Sequence, residues 1–262
     1  MRRLIQIPPL CDAQMMYEAI YLSPHLDDAA LSCGGQIYDR TAAGQRVLVV
    51  TIAAGEPPAA LSDFARQLHA RWALAADAVA ARRAEDAAAC AALGADHVHW
   101  ELPDCIYRLH PETGEPLYAS NAAIFGAVHP AEAALVGRLA AQFAALPAHG
   151  EVIAPLAIGQ HVDHQLVRLA AEQSFGATLS YYDDYPYVRW ERPTQRAIPA
   201  DGAGWQARVV PVSAAGLAAR ITAVSAYASQ LSSFFRDQAD VAVQLTAQVQ
   251  SVGGERLWRR AA

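Results

Sequence analysis

An α/β fold, a mostly parallel sheet with helices on both faces, is predicted by three features of this sequence. Short apolar stretches alternate with longer alanine-rich ones, the βαβα order of a parallel sheet. Glycines such as Gly44 and Gly94 close the helix-like stretches, where a left-handed C-cap is favoured. Clusters of His and Asp fall just after strand-like segments, at the carboxyl ends where ligands collect in such folds.

The elements follow in order. Strands are expected near residues 19–22, 46–52, 97–101, 151–154, 179–183 and 207–212. A helix over 29–43 joins the first two strands, and an alanine-rich helical region spans 63–93. Residues 131–146, stopped by Pro147, and 165–174 supply two more. From Ser213 the pattern reads as helical to the end, over 214–235 and then 237–252. Residues 109–130, rich in Pro, Gly, His and Asn, read as a long surface loop with the makings of a lid. Nothing breaks the composition enough for a second domain. The expectation is one domain over 1–262, with a core of about 17–235 and a helical C-terminal tail over 236–262.

Composition narrows the function. With 53% hydrophobic and 18% charged residues, the chain has the makeup of a globular protein. A net charge of -6 argues against nucleic acid as partner, because phosphate binding needs clustered cations. No apolar run reaches membrane-spanning length, and Pro8, Pro9 and Asp12 interrupt the signal-peptide core that Arg2 and Arg3 would open. Cys11, Cys33, Cys90 and Cys105 form no CxxC pair, so reduced thiols and a cytoplasmic location are expected. All twenty basic residues are arginine. Without lysine, Schiff-base catalysis, ordinary pyridoxal phosphate attachment and a Walker A loop are excluded. No GxSxG elbow is present, and no GxGxxG follows a strand.

What remains is His, Asp, Glu and Cys. In His25-Leu-Asp-Asp28 the imidazole and second carboxylate are three residues apart, so both can face one ion across a strand-to-helix turn. Asp27 would lie beside that ion, placed to take a proton from water. Gly159-Gln-His-Val-Asp-His164 repeats the setting. There, His161 and His164 supply the last ligand and a stabilising neighbour, while Asp163 orients a histidine. Each cluster alone also reads as a helix cap. Two of them at strand ends in one α/β pattern favour a metal site.

These residues resemble the PIG-L (LmbE-like) family of metal-dependent de-N-acetylases. The matching stretches are His25, Asp27 and Asp28; His161, Asp163 and His164; Arg82-Arg-Ala-Glu85 with Leu93-Gly94 and Leu102-Pro-Asp104; and Tyr227-Ala-Ser-Gln230. The resemblance implies a Rossmann-like fold and zinc held by His25, Asp28 and His164, with iron(II) also compatible. It further implies hydrolysis of an N-acetyl or other N-acyl group from a small amino sugar or glycoconjugate, with Asp27 as general base. His161 would stabilise the oxyanion, and Arg82 and Asp104 would hold substrate. The family's usual first motif is HPDD followed by Glu, whereas this chain has Leu26 and Ala29.

Other readings accompany this one. An amidase acting on a thiol-sugar or natural-product conjugate fits the same residues, and two histidines with one carboxylate also make the triad of a non-haem iron(II) oxygenase. A non-catalytic metal- or sugar-binding domain is the third class, against which the retained Asp27 speaks. A homo-oligomer is compatible with the sequence. In the flanking segments, His69 and Trp72 read as a core contact on an extra helix, and Tyr107 and Arg108 as weaker site candidates. Asp183 and Asp184 read as solvated or capping carboxylates, and His97, His99, His110, His129 and His149 as surface or core histidines.

Overall fold

The computed structural model describes residues 16–74, 77–189, 197–199 and 202–261. Arg2, Arg3, Pro8, Pro9, Cys11 and Asp12 lie outside them. Five strands run parallel: β1 (Tyr17–Ser23), β2 (Val47–Thr51), β3 (Asp96–His99), β4 (His149–Pro155) and β5 (Ser180–Tyr182). Two more, β6 (Trp205–Val210) and β7 (Glu255–Arg260), complete a seven-stranded sheet in the order β3-β2-β1-β4-β5-β7-β6. β7 lies antiparallel to both of its neighbours. The strand order reverses between β1 and β4, which makes the crevice at their carboxyl ends the expected ligand position.

Alternation along each strand divides the core in two. Ile20, Leu22, Leu48 and Val50 face one side, where they meet α5 (Ala133–Phe143) and α6 (Val162–Phe175) through Leu139, Phe143, Leu166 and Ala170. Ala19, Tyr21, Val47 and Val49 face the other. There they pack on α1 (Asp28–Ala42), α3 (Ala78–Ala92) and α7 (Ala214–Ser225) through Cys33, Ile37, Cys90 and Ala223.

Three expectations are revised. The helical region 63–93 is two helices, α2 (Asp63–Arg71) and α3, separated by a turn in which Ala73 takes a left-handed φ of 53°. The helix over 214–235 is likewise α7 and α8 (Ala228–Phe234), parted at Tyr227, whose hydroxyl is drawn to the buried Asp86 at 2.6 Å. After α9 (Gln238–Val252) the chain does not continue as helix. Gly253 at φ +81° turns it back into β7. Residues 109–130 carry one short helix, α4 (Asn121–Ile124), and bury Tyr118 and Ile124 against Ile106 and Val162, so part of this loop is packed down. Among the described residues no helix is long and apolar enough to cross a membrane.

Candidate metal centre and active site

Both motifs sit on turns at carboxyl ends of adjacent strands. After β1, the Ser23 hydroxyl donates to the His25 carbonyl (2.7 Å) and accepts the Ala29 amide (3.1 Å), folding the chain directly into α1. Asp27 stands at the N-cap of α1, yet its side chain makes no capping hydrogen bond. The helix-cap reading therefore does not account for it. After β4, Ala157, Gly159 and Gln160 all have positive φ. Such strain in non-glycine residues gathers at functional sites. Gly159 is required twice over, since a Cβ there would also meet the Tyr187 ring at 2.8 Å. His161 then caps α6, its Nδ1 accepting the Asp163 amide at 3.3 Å.

The two turns converge. Asp28 Oδ2 lies 3.2 Å from His25 Nδ1 and 3.3 Å from His164 Nε2. The opposite nitrogen of each ring is held by a carboxylate: His25 Nε2 by Asp163 at 2.9 Å, and His164 Nδ1 by Asp184 at 2.6 Å. A carboxylate on one nitrogen fixes the tautomer and turns the lone pair of the other inward, the arrangement usual behind metal-ligating histidines. His164 Nε2 is fully buried without a hydrogen-bond donor or acceptor of its own. An orphaned imidazole nitrogen facing a carboxylate oxygen fits a divalent cation, and His25 Nδ1, Asp28 Oδ2 and His164 Nε2 leave an open position as catalytic sites do. His161 belongs to the same cluster, with ring nitrogens of the three histidines within 4.8 Å of one another. It lacks a carboxylate partner of the Asp184 kind among the bonds around it.

Charge separates the groups by role. Burial, reinforced by the neighbouring Asp28 charge, pushes the Asp27 carboxyl up to about 7. Burial also opposes the Asp28 anion, but the His164 and His25 imidazoles outweigh it and hold that carboxyl far below its ordinary value. Burial and the neighbouring His25 depress His161 well below the usual imidazole range, so it is neutral. With its Nδ1 accepting a backbone amide, the proton of His161 lies on Nε2. Cys105 approaches this nitrogen at 3.9 Å, but burial and nearby Asp163 raise its thiol well above the ordinary value.

Around this centre the structure changes several assignments. Asp183 and Asp184 are buried, not solvated. Asp184 orients His164, and Asp183 accepts from Trp258 Nε1 at 2.6 Å. The signal was available, since both follow a parallel strand exactly as the other motifs do. Arg108 forms ion pairs with Asp163 and Glu132, and Glu132 accepts the Tyr118 hydroxyl at 2.6 Å. Arg82 does not pair with Glu85 or Asp86. It lies 3.8 Å from Asp104 and 4.9 Å from the Trp72 ring centre. Glu85 instead accepts the Ser229 amide and hydroxyl at 2.9 and 2.6 Å, which ties the RxxE stretch to the YxSQ stretch. Asp104 shapes its turn by accepting the Ile106 amide while its other oxygen lies 3.9 Å from His25 Nε2. His69 bonds to the Tyr107 hydroxyl and lies beside Trp72. His99 pairs with Asp86 at 2.8 Å and stands outside the site.

The chain is similar to a known family and to several solved deacetylases. The family model of the GlcNAc-PI de-N-acetylases (PIG-L) matches residues 20–175. A solved deacetylase from the teicoplanin biosynthesis pathway, in complex with bog, is 30% identical, covering 93% of this chain and 98% of that one at a TM-score of 0.77. A zinc-inhibited form of teicoplanin deacetylase Orf2 is 28% identical over 93% and 98%, with the same score. The A40926 pseudoaglycone deacetylase Dbv21 is 28% identical over 95% of this chain and 100% of its own, at 0.70. No curated protein sequence matches this chain.

Proposed function

We propose, from the premise that this chain belongs to the GlcNAc-PI de-N-acetylase (PIG-L) family, that its N-deacetylase chemistry is a zinc-centred hydrolysis of an N-acetylated amino sugar carried on a larger glycoconjugate. Metal-dependent N-deacetylation is the family's activity and this chain's. The observation that supports the metal reading is the convergence of His25 Nδ1, Asp28 Oδ2 and His164 Nε2, each imidazole braced from behind by a carboxylate. Two imidazoles and one carboxylate suit zinc. The amino sugar on a larger scaffold is favoured because relatives at 28–30% identity act in teicoplanin and A40926 chemistry. The oxygenase reading is not favoured, since its triad is expected on a β-rich barrel and this sheet is open and mostly parallel.

When bound, the ion supplies Lewis acidity toward the amide carbonyl and acidifies the attacking water. Asp27, with its carboxyl near 7, accepts the proton of that water as the new C–O bond forms. His161 donates its Nε2 proton as a hydrogen bond to the carbonyl oxygen as negative charge grows there. Because His161 is neutral, giving that proton away would leave an imidazolate. Asp27 is therefore the group that returns a proton to the departing nitrogen as the C–N bond breaks, leaving acetate and a free amine. Arg82 and Asp104, buried 3.8 Å apart, bind sugar hydroxyls.

The test combines elemental mass spectrometry with acetate release from N-acetylglucosaminyl glycosides. Metal is titrated from substoichiometric amounts, because the teicoplanin enzyme has a zinc-inhibited form. Asp27→Asn is expected to retain wild-type metal and lose roughly 10²–10⁴-fold in turnover, the usual worth of a general base. Turnover close to wild type in that variant would remove Asp27 from the role, and loss of metal would make it a ligand.

A further inference from the structure

We propose that Trp72, the residue that ends α2, is a positioning residue for substrate: it holds the Arg82 guanidinium in place and leaves its donors free for sugar hydroxyls. The proposal deepens the reading above and rests on it. Arg82 and Arg83 are neighbours in α3 with opposite fates. Arg83 spends its donors on the protein, with Nε on the Ala54 carbonyl at 2.7 Å and its terminal nitrogens 3.3 Å from Glu101 and 3.5 Å from Glu56. Arg82 is the more buried, its side chain 9% exposed against 25% for Arg83. Yet it makes no hydrogen bond among the described residues. Its Nε is fully buried without a partner, and Asp104 stands 3.8 Å from Nη1, near enough for charge but not for a hydrogen bond.

Donors buried in that state are costly until an acceptor reaches them. A long flexible side chain without hydrogen bonds also needs something else to fix its direction. Trp72 supplies it. Arg82 Cζ lies over the indole, 4.9 Å from the ring centre, within cation–π range. The ring attracts the charge without taking any particular N–H, so the terminal donors stay available to an incoming acceptor. The indole is itself anchored. Phe64, Ala65 and Leu68 seat α2 against Ile106 and Tyr107, and His69, with its ring 5.7 Å from that of Trp72, bonds to the Tyr107 hydroxyl. Tyr107 belongs to the same turn as Asp104, whose side chain caps it. One short helix therefore grips both substrate residues, the Asp104 turn through Tyr107 and Arg82 through Trp72. The pair it presents suits neighbouring hydroxyls, one accepting from Arg82 and the other donating to Asp104.

The experiment measures kcat and KM for acetate release from methyl N-acetylglucosaminide in wild type, Trp72→Leu and Trp72→Phe, and again with Arg82→Met added to each. Trp72→Leu should raise KM about tenfold, the scale of a largely desolvated cation–π contact. Its kcat should stay within about twofold of wild type, because a contact made alike in ground and transition states moves only KM. Trp72→Phe keeps a π face and should recover most of the loss. With Arg82→Met present, Trp72→Leu should change kcat/KM by less than about twofold. Calorimetry of the same glycoside with metal-loaded Asp27→Asn, with and without Trp72→Leu, follows binding in the absence of turnover. An unmoved KM in Trp72→Leu, no rescue by Trp72→Phe, or an undiminished loss in the Arg82→Met background would each overturn the proposal. Acetate release indifferent to Trp72 would thus remove the positioning role and leave the deacetylase. No acetate from wild type, with glycoside binding that still depends on Trp72, would remove the deacetylase and leave the role. Should Trp72→Leu fail to fold, the smaller KM rise of Trp72→Phe, compared with and without Arg82→Met, decides.

Discussion

Asp27 and Asp28 are chemically identical and adjacent, yet the fold drives them apart: one is raised to about 7 by burial, the other is pinned as an anion between two imidazoles. The proposed division of the two carboxylates into base and ligand rests, in the sequence, on His25, Asp27 and Asp28 being neighbours on one turn. The groups that brace them were legible only in part: Asp163 was expected to orient a histidine, but that this is His25, 138 positions away, and that Arg108 reaches Asp163 across 55, lies beyond any local pattern. Arg108 nevertheless bears on the metal site. It is buried, it pairs with Asp163 and Glu132, and through them it links the Tyr118 end of the long loop to the carboxylate that orients His25. Arg108→Ala is expected to weaken metal binding by about 10–100-fold, the usual effect of removing an outer partner of a ligand. Arg108→Lys should recover part of the loss, since it restores charge without the planar fork. A competition titration against a fluorescent chelator measures this directly. An unchanged metal affinity in Arg108→Ala would show that Asp163 holds His25 unaided.

The parallel strands and most helices were readable as elements because their periodicities are undisturbed, whereas β7 was not. Its sequence, Glu-Arg-Leu-Trp-Arg-Arg, is mostly charged and follows a long helical run, so it reads as the end of a helical tail. The local signals were the Gly253-Gly254 break and the alternation that buries Glu255 and Leu257. Glu255 explains why the strand is kept. It pairs with the buried Arg220 of α7 at 3.1 Å and accepts the Gly35 and Gln36 amides of α1, each at 2.9 Å. Arg220 in turn donates to the Leu31 carbonyl of α1. The close approach needs Gly34, where a Cβ would meet Arg220 Cγ at 2.8 Å. One buried pair thus joins β7, α7 and the helix that carries Asp28. Breaking one member leaves an uncompensated buried charge, so Glu255→Gln should cost about 3 kcal/mol by urea unfolding. The double variant Arg220→Met/Glu255→Leu should cost less than the sum of its singles. Strict additivity would mean that the two side chains fold α7 and β7 independently.

At the scale of the whole molecule, the site is a joint. Its proposed ligands come from two turns that the sheet brings side by side at the β1–β4 reversal, with Asp184 arriving from the end of β5. No single element contains the site, and an ion that touches His25, Asp28 and His164 crosslinks segments far apart in the chain. A ligand that binds only the folded state stabilises it by mass action, about 3 kcal/mol at a hundredfold excess over its dissociation constant. For a chain of this length that corresponds to roughly 5–10 °C in Tm. Stripping the metal with a chelator should therefore lower Tm by that amount, and re-adding one equivalent of zinc should restore it. His164→Ala should show neither change, because its ion site is already broken, while Asp27→Asn should show both in full. This pattern separates ligand from base without reference to turnover. Equal melting of stripped and replete wild type would place the ion elsewhere, or nowhere. If the His164→Ala shift equalled that of wild type, His161 would take its place as the third ligand, since its ring lies in the same cluster.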